Sequence, residues 1–445
     1  MFAPHEITRR KLLRLAAAAA AAATASAVAG CERRGSNTTG VVELDFYTYA
    51  TPEFLRLFHE QLTPAFLRAH PDVDIRVNES MGDAGYDAKL LTLIAGKLAP
   101  DLFHVTQGNF PFYAAKDVLL PLDEFIERDR EISRLDFYPQ LIDGMSYNGK
   151  LLGLPSDFSP IVFLYNQDLF DRFGVSYPQA DWTTDDLLDK ARALTRDTDG
   201  DGHTDLFGIA TIDSYNRWPA WVWNNGGRIF SEDGKTCVMD NAESVEGLRF
   251  YVDLSRRHKV SPKPGPAPGL SMGQEQSDLF AAQRVAMVAE SRYMYKRLIG
   301  SRTLPFRWDV APMPKRRTRA TTFIWGGNCI LKSTKHPRQA WEFLKFMSGP
   351  AGATISLQAG HALPAYRKAA EREIEHPSMR GVPEHDRYYL DAIAYGQTAP
   401  FPPQFAEFTE AMTFLRDAFI GLRPVDDACR QFTREVNTML RSGVF

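Results

Sequence analysis

Apolar and polar residues follow a strand, helix, strand order along the first quarter of the chain. Residues 41–49 alternate as a half-buried strand does, and apolar positions then recur at helical spacing over residues 51–67. A second predicted strand covers 73–77, a second helix carries the apolar run 90–94, and a third short strand covers 100–105. This alternation predicts an α/β fold with a mostly parallel sheet and helices on its faces.

Ligands of such sheets gather beyond the carboxyl ends of the strands. The loops that follow the first and third predicted strands mix polar and aromatic residues. They provide Tyr49, Thr51 and Gln107 as candidate ligand-binding residues. Tyr86, which precedes the apolar run of the second helix, is a fourth candidate.

Residues 1–30 have the order of an export signal. A Thr-Arg-Arg-Lys pattern precedes an uncharged, alanine-rich run at 15–29 that is too weakly hydrophobic for a membrane-spanning helix. Small residues directly before Cys31 predict cleavage there and lipid attachment to its thiol, whereas an ordinary cleavage site with a chance cysteine is the alternative. The arginine pair favours the twin-arginine route over general secretion, and residues 31–40 are expected to form a flexible tether.

Charge and cysteine content narrow the class of protein. The full chain carries 52 basic and 55 acidic residues, and without the predicted signal segment 48 and 54 remain, a net charge of −6 that does not suggest nucleic-acid binding. The remaining 415 residues are enough for two domains with cores of their own. Cys237, Cys329 and Cys429 are far apart in sequence, which argues against a disulfide framework or thiolate metal site but leaves one bridge open.

A series of segments carries a resemblance to a known family. These segments are 147–155 (Tyr-Asn-Gly-Lys-Leu-Leu-Gly-Leu-Pro), 163–170, 182–187, 226–227, 280–287, 310–314, 325–330 and 340–347. In this order and spacing the chain resembles family 1 of the extracellular solute-binding proteins, the sugar-binding receptors of ABC importers that include maltose-binding protein. The resemblance covers nearly all of the chain after the predicted signal segment.

The resemblance implies an α/β, two-lobed periplasmic-binding-protein fold, type II-like, with an inter-lobe cleft and hinge crossings. By analogy, the N-terminal lobe holds residues 41–154 plus 326–362, and the C-terminal lobe holds residues 155–325 plus 363–445. The implied function is that of a monomeric, lipid-anchored receptor at the periplasmic or extracellular face. Such a receptor binds a carbohydrate in its cleft, delivers it to the permease subunits of an ABC importer and requires no cofactor.

A sugar-binding cleft needs flat apolar faces for C–H surfaces and fixed donors and acceptors for hydroxyls. In the run 216–225, Trp218 and Trp221 are spaced to share a helix face, while Trp223 points elsewhere. Each indole alone is better explained as core, but we expect at least one to reach the cleft. The other candidates follow the first crossing, a predicted strand over 285–288, or the later crossings: Asp157, Phe158, Glu290, Arg292, Tyr293, Trp325, Gly326, Gly327, Asn328, His361 and Tyr366. The family commonly has Gly-x-Trp where this chain has Ser291 to Tyr293, so the aromatic type differs.

An acidic run has the spacing of a cation-binding loop. Asp197, Asp199, Asp201 and Asp205 stand at loop positions one, three, five and nine, with glycine at six. Gly208 occupies the twelfth position, where a bidentate glutamate is expected, and the same composition also makes a good solvated turn. A structural calcium and a solvated turn are therefore both open.

Catalytic motifs add little. The sequence has no H-E-x-x-H, P-loop or dinucleotide fingerprint, and a G-x-S-x-G match at 269–273 follows a proline-rich stretch that cannot be the buried strand of a nucleophile elbow. One alternative is the same receptor role for a non-sugar polar solute such as glycerol phosphate or a uronate. Another is an exported carbohydrate-active enzyme, although no carboxylate pair is singled out by its spacing. The basic run 315–319 is expected to be a solvated loop, with contact to a phosphate or acidic sugar as its alternative.

Overall fold

The computed structural model describes residues 40–50, 52–81, 85–263, 274–295, 298, 304–358, 362–378 and 381–442. The predicted signal segment, Cys31 and nearly all of the predicted tether lie outside these ranges. Thr51, His361 and the side chain of Tyr49 lie outside them as well, so these candidates stay predictions.

The first three predicted strands are confirmed as β1 to β3, and eight further strands follow them. The strands are β1 (Val42–Ala50), β2 (Val73–Met81), β3 (Leu102–Thr106), β4 (Ser146–Tyr147), β5 (Lys150–Leu151), β6 (Leu154–Asn166), β7 (Met287–Ser291), β8 (Trp308–Ala311), β9 (Thr321–Ile330), β10 (Leu363–Pro364) and β11 (Gly396–Gln397). These bounds cover the described part of the chain.

The main sheet runs in the order β10-β6-β9-β3-β1-β2, with β7 and β8 paired to β6 and β11 paired to β9. β1 lies parallel to β2 and to β3. β9 returns from the distal part of the chain and lies antiparallel between β3 and β6. The prediction of a mostly parallel sheet therefore holds for the first three strands and for the pairing of β11 with β9. It is wrong for the other described pairings of this sheet, which are antiparallel.

Two strands cross between the two ends of the molecule. Residues 154–160 of β6 pair with β9, whereas residues 161–166 of the same strand pair with β7 and β8. We call the end that carries β1 to β3 the first lobe and the end that carries β7 and β8 the second lobe. The predicted lobe limits at 154 and 326 fall at or within the crossing strands, and the limits themselves stay predictions.

Helices cover both ends of the sheet. They are α1 (Pro52–Leu57), α2 (Thr63–Ala69), α3 (Tyr86–Ala95), α4 (Phe110–Ala115), α5 (Asp123–Arg128), α6 (Pro139–Gly144), α7 (Gln167–Arg172), α8 (Thr184–Leu194), α9 (Pro219–Asn224), α10 (Ala242–Arg256), α11 (Gln274–Ala281), α12 (Pro337–Ser348), α13 (Pro350–Gln358), α14 (Arg367–Glu375), α15 (Tyr388–Asp391), α16 (Phe405–Ile420) and α17 (Val425–Ser442). One turn of π-helix, Phe58–Leu62, joins α1 to α2, and α8 starts with a capping box between Thr183 and Asp186.

The long strand β6 contributes to two hydrophobic cores. Phe158, Val162 and Leu164 pack into a core that extends from the first lobe, and the alternating residues Ile161 and Phe163 pack into the core of the second lobe. Opposite faces of one strand are thus buried on both sides, because successive side chains of a strand point to opposite faces.

The described helices and cysteines bear on membrane insertion and on disulfide formation. None of its helices has the length and apolar composition needed to cross a membrane. Cys237, Cys329 and Cys429 are buried free thiols, and burial raises the pKa of Cys237 to about 11 and that of Cys429 to about 12.

Candidate functional site

The crossing strands bring polar side chains together where the two lobes meet. Gly326 of β9 lies opposite Thr106 of β3 on one side and opposite Asp157 of β6 on the other. A Cβ at Gly326 would lie 3.1 Å from Cε1 of His104 and 3.4 Å from Oδ1 of Asp157. His104 and Asp157 therefore face the same side of β9, and the glycine leaves the space between them open.

Tyr293 brings the second lobe to this point. Its hydroxyl donates a hydrogen bond to Oδ1 of Asp157, and the hydroxyl of Ser156 donates to Oδ2 at 2.6 Å. The pairing of β6 with β9 shifts register between Pro155 and Asp157, which is the kind of bulge that re-aims a side chain. Asp157 is half-buried and keeps acceptor capacity on both oxygens, since a carboxylate offers about four lone-pair positions.

Gln107 connects the loop after β3 to the crossing strand β9 and to the second lobe. Its Oε1 accepts from the backbone N–H of Trp325 at 3.0 Å, and its Nε2 donates to Oδ1 of Asn216 at 2.9 Å. Asn216 belongs to the loop before α9, in the second lobe. We call His104, Gln107, Asp157, Asn216 and Tyr293 the junction cluster.

The loop that carries Asn216 also holds a carboxyl with unusual titration. The Asp213 side chain is 12% exposed, and its Oδ2 has no hydrogen-bond partner. Burial raises the pKa of Asp213 to about 6, although Nε of Arg416 at 3.8 Å acts in the opposite direction. A buried acceptor of this kind has the capacity to bind a hydroxyl, because an unmade hydrogen bond is costly.

The tryptophan run lies mostly within the second core. Trp218 and Trp221 are 1% and 2% exposed, and Trp221 stacks on Tyr251 with ring centroids 4.8 Å apart. Trp223 lines an open cavity of about 540 Å³ together with residues that include Arg228 and Gln397. Among the described residues, none of these three indoles forms a hydrogen bond with the junction cluster. The expectation that one of them reaches the cleft therefore stays a prediction.

Glu290 and Arg292 are committed to buried ion pairs. β7 extends to Ser291, so the predicted end of this strand at 288 was too early and Glu290 lies within it, because pairing with β6 continues to Ile161. Glu290 is fully buried and bonds to Arg217, and burial raises the pKa of its carboxyl against the opposing charge of that arginine. Arg292 is 1% exposed and pairs with Glu373 and Asp386.

Several other candidates are packing residues in this structure. Tyr86 is 2% exposed, stacks on Tyr47 of β1 and donates to the carbonyl of His104 in β3 at 2.7 Å. It therefore helps to hold these two strands in place. Phe158 is fully buried. Tyr366 precedes α14 and meets Phe137 edge-on. Their ligand-binding role stays a prediction.

The segment from Trp325 to Asn328 is part of β9. The Trp325 ring packs so closely on Gly144 that a Cβ there would lie 2.9 Å away, and its Nε1 donates to Thr398 at 3.3 Å. A Cβ at Gly327 would lie 2.6 Å from the Leu154 carbonyl, so glycine is needed for strand packing. Asn328 is 3% exposed, and its Oδ1 lies 3.3 Å from Nδ1 of His104.

Among the described residues, two clusters bring together side chains of the types that bind metal ions. Oxygens of Asp197, Asp199 and Asp205 lie within 4.8 Å of one another, whereas Asp201 is outside that group. Backbone N–H groups of Gly200 and Gly202 bond to Asp197 and lower its pKa, as expected for a solvated turn as well as for a cation loop. Asp309, Glu384 and His385 form the second cluster, and Asp309 already accepts from the backbone N–H and the ring of His385.

The residues that sequence reasoning missed are His104, Asp213 and Asn216. His104 lies at the junction because β9 inserts beside β3, and Asn216 lies there because its side chain bonds to Gln107. Asp213 lies in the same loop as Asn216, directly before the aromatic run. A polar loop before that run was the one local signal that could have indicated Asp213 and Asn216.

The chain matches the family model of the bacterial extracellular solute-binding proteins over residues 51–354 and belongs to that family. It is 27% identical to the arabinooligosaccharide-binding protein of Bacillus subtilis (strain 168) over 334 residues, which cover 72% of this chain and 73% of that protein. An ABC substrate-binding protein from Listeria monocytogenes, solved in complex with cycloalternan, aligns with a TM-score of 0.78 and 26% identity over 90% of this chain and 99% of its own.

A solute-binding protein of an ABC transporter from Thermotoga lettingae, bound to alpha-D-tagatose, aligns with a TM-score of 0.75 and 19% identity over 90% of this chain and 100% of its own. The family resemblance and the two-lobed α/β fold predicted from the sequence are confirmed by these matches. The family consists of solute-binding receptors that act outside the cytoplasm.

Proposed function

We propose that this protein is the carbohydrate receptor of an ABC importer and binds its solute between the two lobes. The observation that carries the proposal is the junction cluster, in which hydrogen-bonding groups from both lobes meet on the crossing strands. Family membership supports the receptor role, and the solutes named for the relatives, an arabinooligosaccharide, cycloalternan and tagatose, support a sugar.

The charges beside the junction cluster favour a neutral solute over a glycerol phosphate or a uronate. Arg217 follows Asn216 directly but is 3% exposed and paired with the buried Glu290. Arg292 precedes Tyr293 directly but is paired with two buried carboxylates. The cluster itself contributes the Asp157 carboxylate, which would repel an anion and accept from sugar hydroxyls.

The basic loop gives no further support to an anionic solute. Arg316 and Arg317 both pair with Glu246, at 2.8 and 2.7 Å, on the surface of the second lobe. Their positive charge is therefore partly compensated where it lies.

In this proposal the protein performs no catalysis. A solute that contacts both lobes binds the closed form more tightly than the open form, and closure follows as a population shift. The closed form then docks on permease subunits. Turnover of a bound glycan, abolished by a single carboxylate-to-amide change, would instead favour the exported enzyme.

The predicted lipid on Cys31 gives this receptor a reason to stay at the membrane. Tethering through residues 31–40 raises the effective concentration of the receptor near its permease without a permanent complex. A single acyl chain would hold weakly, so the anchor requires more than one chain. Replacing Cys31 with Ser is expected to move the protein from the membrane fraction to the soluble fraction and to leave solute binding intact.

A thermal-shift panel tests the assignment. The proposal predicts that the melting temperature rises with at least one neutral mono- or oligosaccharide and does not rise with glycerol phosphate or uronates. A rise with anionic solutes alone would replace the sugar with another polar cargo. No rise with any sugar, polyol or glycerol phosphate would contradict the carbohydrate assignment.

A further inference from the structure

A chain of polar contacts runs from the interior of the second lobe to the crossing strand. Glu290, at 0% exposure, bonds to Arg217, and Nη1 of Arg217 donates to the carbonyl of Asn216 at 3.3 Å. The Asn216 side chain accepts from Gln107 at 2.9 Å, and Gln107 in turn accepts from the backbone N–H of Trp325 at 3.0 Å. All of these contacts are made between groups of the protein.

The orientation of both amides is fixed by the backbone. The N–H of Trp325 can only donate, so the group of Gln107 that faces it must be the carbonyl oxygen Oε1. The NH₂ group of Gln107 then points to Asn216, which must present its oxygen. Because each step determines the next, the Gln107–Asn216 bond has one arrangement and not two.

This bond spans the two lobes. Gln107 lies in the loop after β3 and is 4% exposed, whereas Asn216 lies in the second lobe between Asp213 and α9. The backbone of the neighbouring Gly108 also lies close to the second lobe, since a Cβ there would be 3.3 Å from the ring of Phe405 in α16. Moving Gln107 away from Asn216 breaks their hydrogen bond and takes Gly108 away from the ring of Phe405.

We propose that Gln107 and Asn216 form a built-in latch that biases the lobes toward the closed form, and that the Arg217–Glu290 pair positions Asn216 for it. The inference rests on the proposed receptor function, in which closure is the working motion. Gln107 is thereby a positioning residue whose effect on solute affinity passes through the conformational equilibrium.

The size of the effect follows from the net contribution of one buried, neutral hydrogen bond. Loss of the Gln107–Asn216 bond is expected to shift the open-to-closed ratio about fivefold toward the open form. Affinity for a solute that needs the closed form falls with the closed fraction, by up to the same factor.

Inter-lobe distance in the absence of solute is the direct measurement. The full-length Cys31→Ser protein is labelled at Leu98→Cys in the first lobe and Leu422→Cys in the second, positions that are 62% and 76% exposed. The three remaining cysteines of that protein are buried and should not take the label. Co-purified solute is removed by unfolding and refolding, and single-molecule energy transfer then reports the open and closed populations.

A double-mutant cycle isolates the bond. Gln107→Ala and Asn216→Ala are each expected to raise the open population, and the double variant should be no more open than the more open single variant. Asn216→Asp keeps the acceptor oxygen and should stay as closed as the parent protein. Gln397→Ala removes an exposed glutamine from β11 and serves as the matched control.

Additive effects of the two alanine substitutions would overturn the latch, as would an Asn216→Asp variant that is more open than the parent protein. Populations unchanged in either single alanine variant would overturn it too. Circular dichroism melting of each variant verifies folding, and Asn216→Asp carries the test if an alanine variant fails to fold. The readout uses no sugar, so a failure of the carbohydrate assignment would leave this result separately interpretable.

Discussion

The substitution Arg292→Met is predicted to be among the most damaging single changes to stability in the second lobe. Arg292 is 1% exposed, and its Nη2 lies 3.0 Å from Glu373 and 3.1 Å from Asp386. Methionine keeps much of the side-chain volume but removes the charge. The variant therefore retains two buried carboxylates without the cation that compensates them.

The size of this loss of stability follows from the burial of the two carboxylates that pair with Arg292. The Glu373 and Asp386 side chains are 3% and 4% exposed, and removing the partner of a buried ion pair typically costs 3–5 kcal/mol. Asp386 would keep its bond from Tyr295 at 2.7 Å, and Glu373 would keep its bond from the N–H of Ser378 at 3.0 Å. We therefore expect the free energy of unfolding to fall by about 4 kcal/mol.

Arg307→Met is the matched control. Arg307 also bridges two carboxylates, Asp168 at 2.7 Å and Asp171 at 2.6 Å, but its side chain is 63% exposed. Solvent screens these pairs, so we expect a loss of less than about 1 kcal/mol. Urea unfolding followed by circular dichroism compares the two variants. Equal losses in both variants would contradict the greater cost of leaving buried carboxylates unpaired, and so would an Arg292→Met protein as stable as the parent.

Three further predictions concern single positions. Burial raises the pKa of Asp213 to about 6, above the unfolded value of about 3.9, so the folded state holds the proton longer and stability should fall as pH rises from about 4 to about 6. Asp213→Asn should flatten this slope in pH-dependent urea unfolding and add up to about 3 kcal/mol above pH 6, whereas an unchanged slope would contradict the assignment. Gly326→Ala should weaken solute binding with little loss of melting temperature, because the added Cβ meets the movable ring of His104. Gly327→Ala should destabilise the fold, because its Cβ meets a backbone carbonyl at 2.6 Å. A larger loss of melting temperature in Gly326→Ala than in Gly327→Ala would contradict the site. If the loop around Asp197 binds calcium, the ion should raise the melting temperature reversibly to chelator and Asp197→Asn should abolish the rise; no shift means a solvated turn.

Local elements could be predicted from the sequence because their causes are local. The alternation of apolar and polar residues in 41–49 is a property of a half-buried strand, and it became β1. Apolar residues at helical spacing over 51–67 predicted a helix, and this segment became α1, the π-helical turn and α2. Both features depend on residues a few positions apart.

The candidate site depends on contacts between distant residues, and this is where sequence reasoning was least complete. His104 and Asp157 converge only because β9 inserts between β3 and β6, and no local pattern of either strand encodes that insertion. Asn216 became part of the junction through a bond to Gln107, 109 residues away in sequence. Glu290 and Arg292 were predicted as ligand-binding residues at a strand end, and partners distant in sequence hold both in buried ion pairs. Their ligand-binding role stays a prediction.

Calorimetric titration with neutral oligosaccharides tests whether a carbohydrate binds at the junction cluster. Oligosaccharides of arabinose and of glucose are titrated into the solute-free protein and into a double variant with Asp157→Ala and Tyr293→Ala. We expect saturable binding of at least one of them to a single site, weakened about tenfold or more in the double variant because two hydrogen-bonding groups are lost. Absence of binding to every neutral sugar, or binding that is unchanged in the double variant, would contradict a carbohydrate site at the junction of the two lobes.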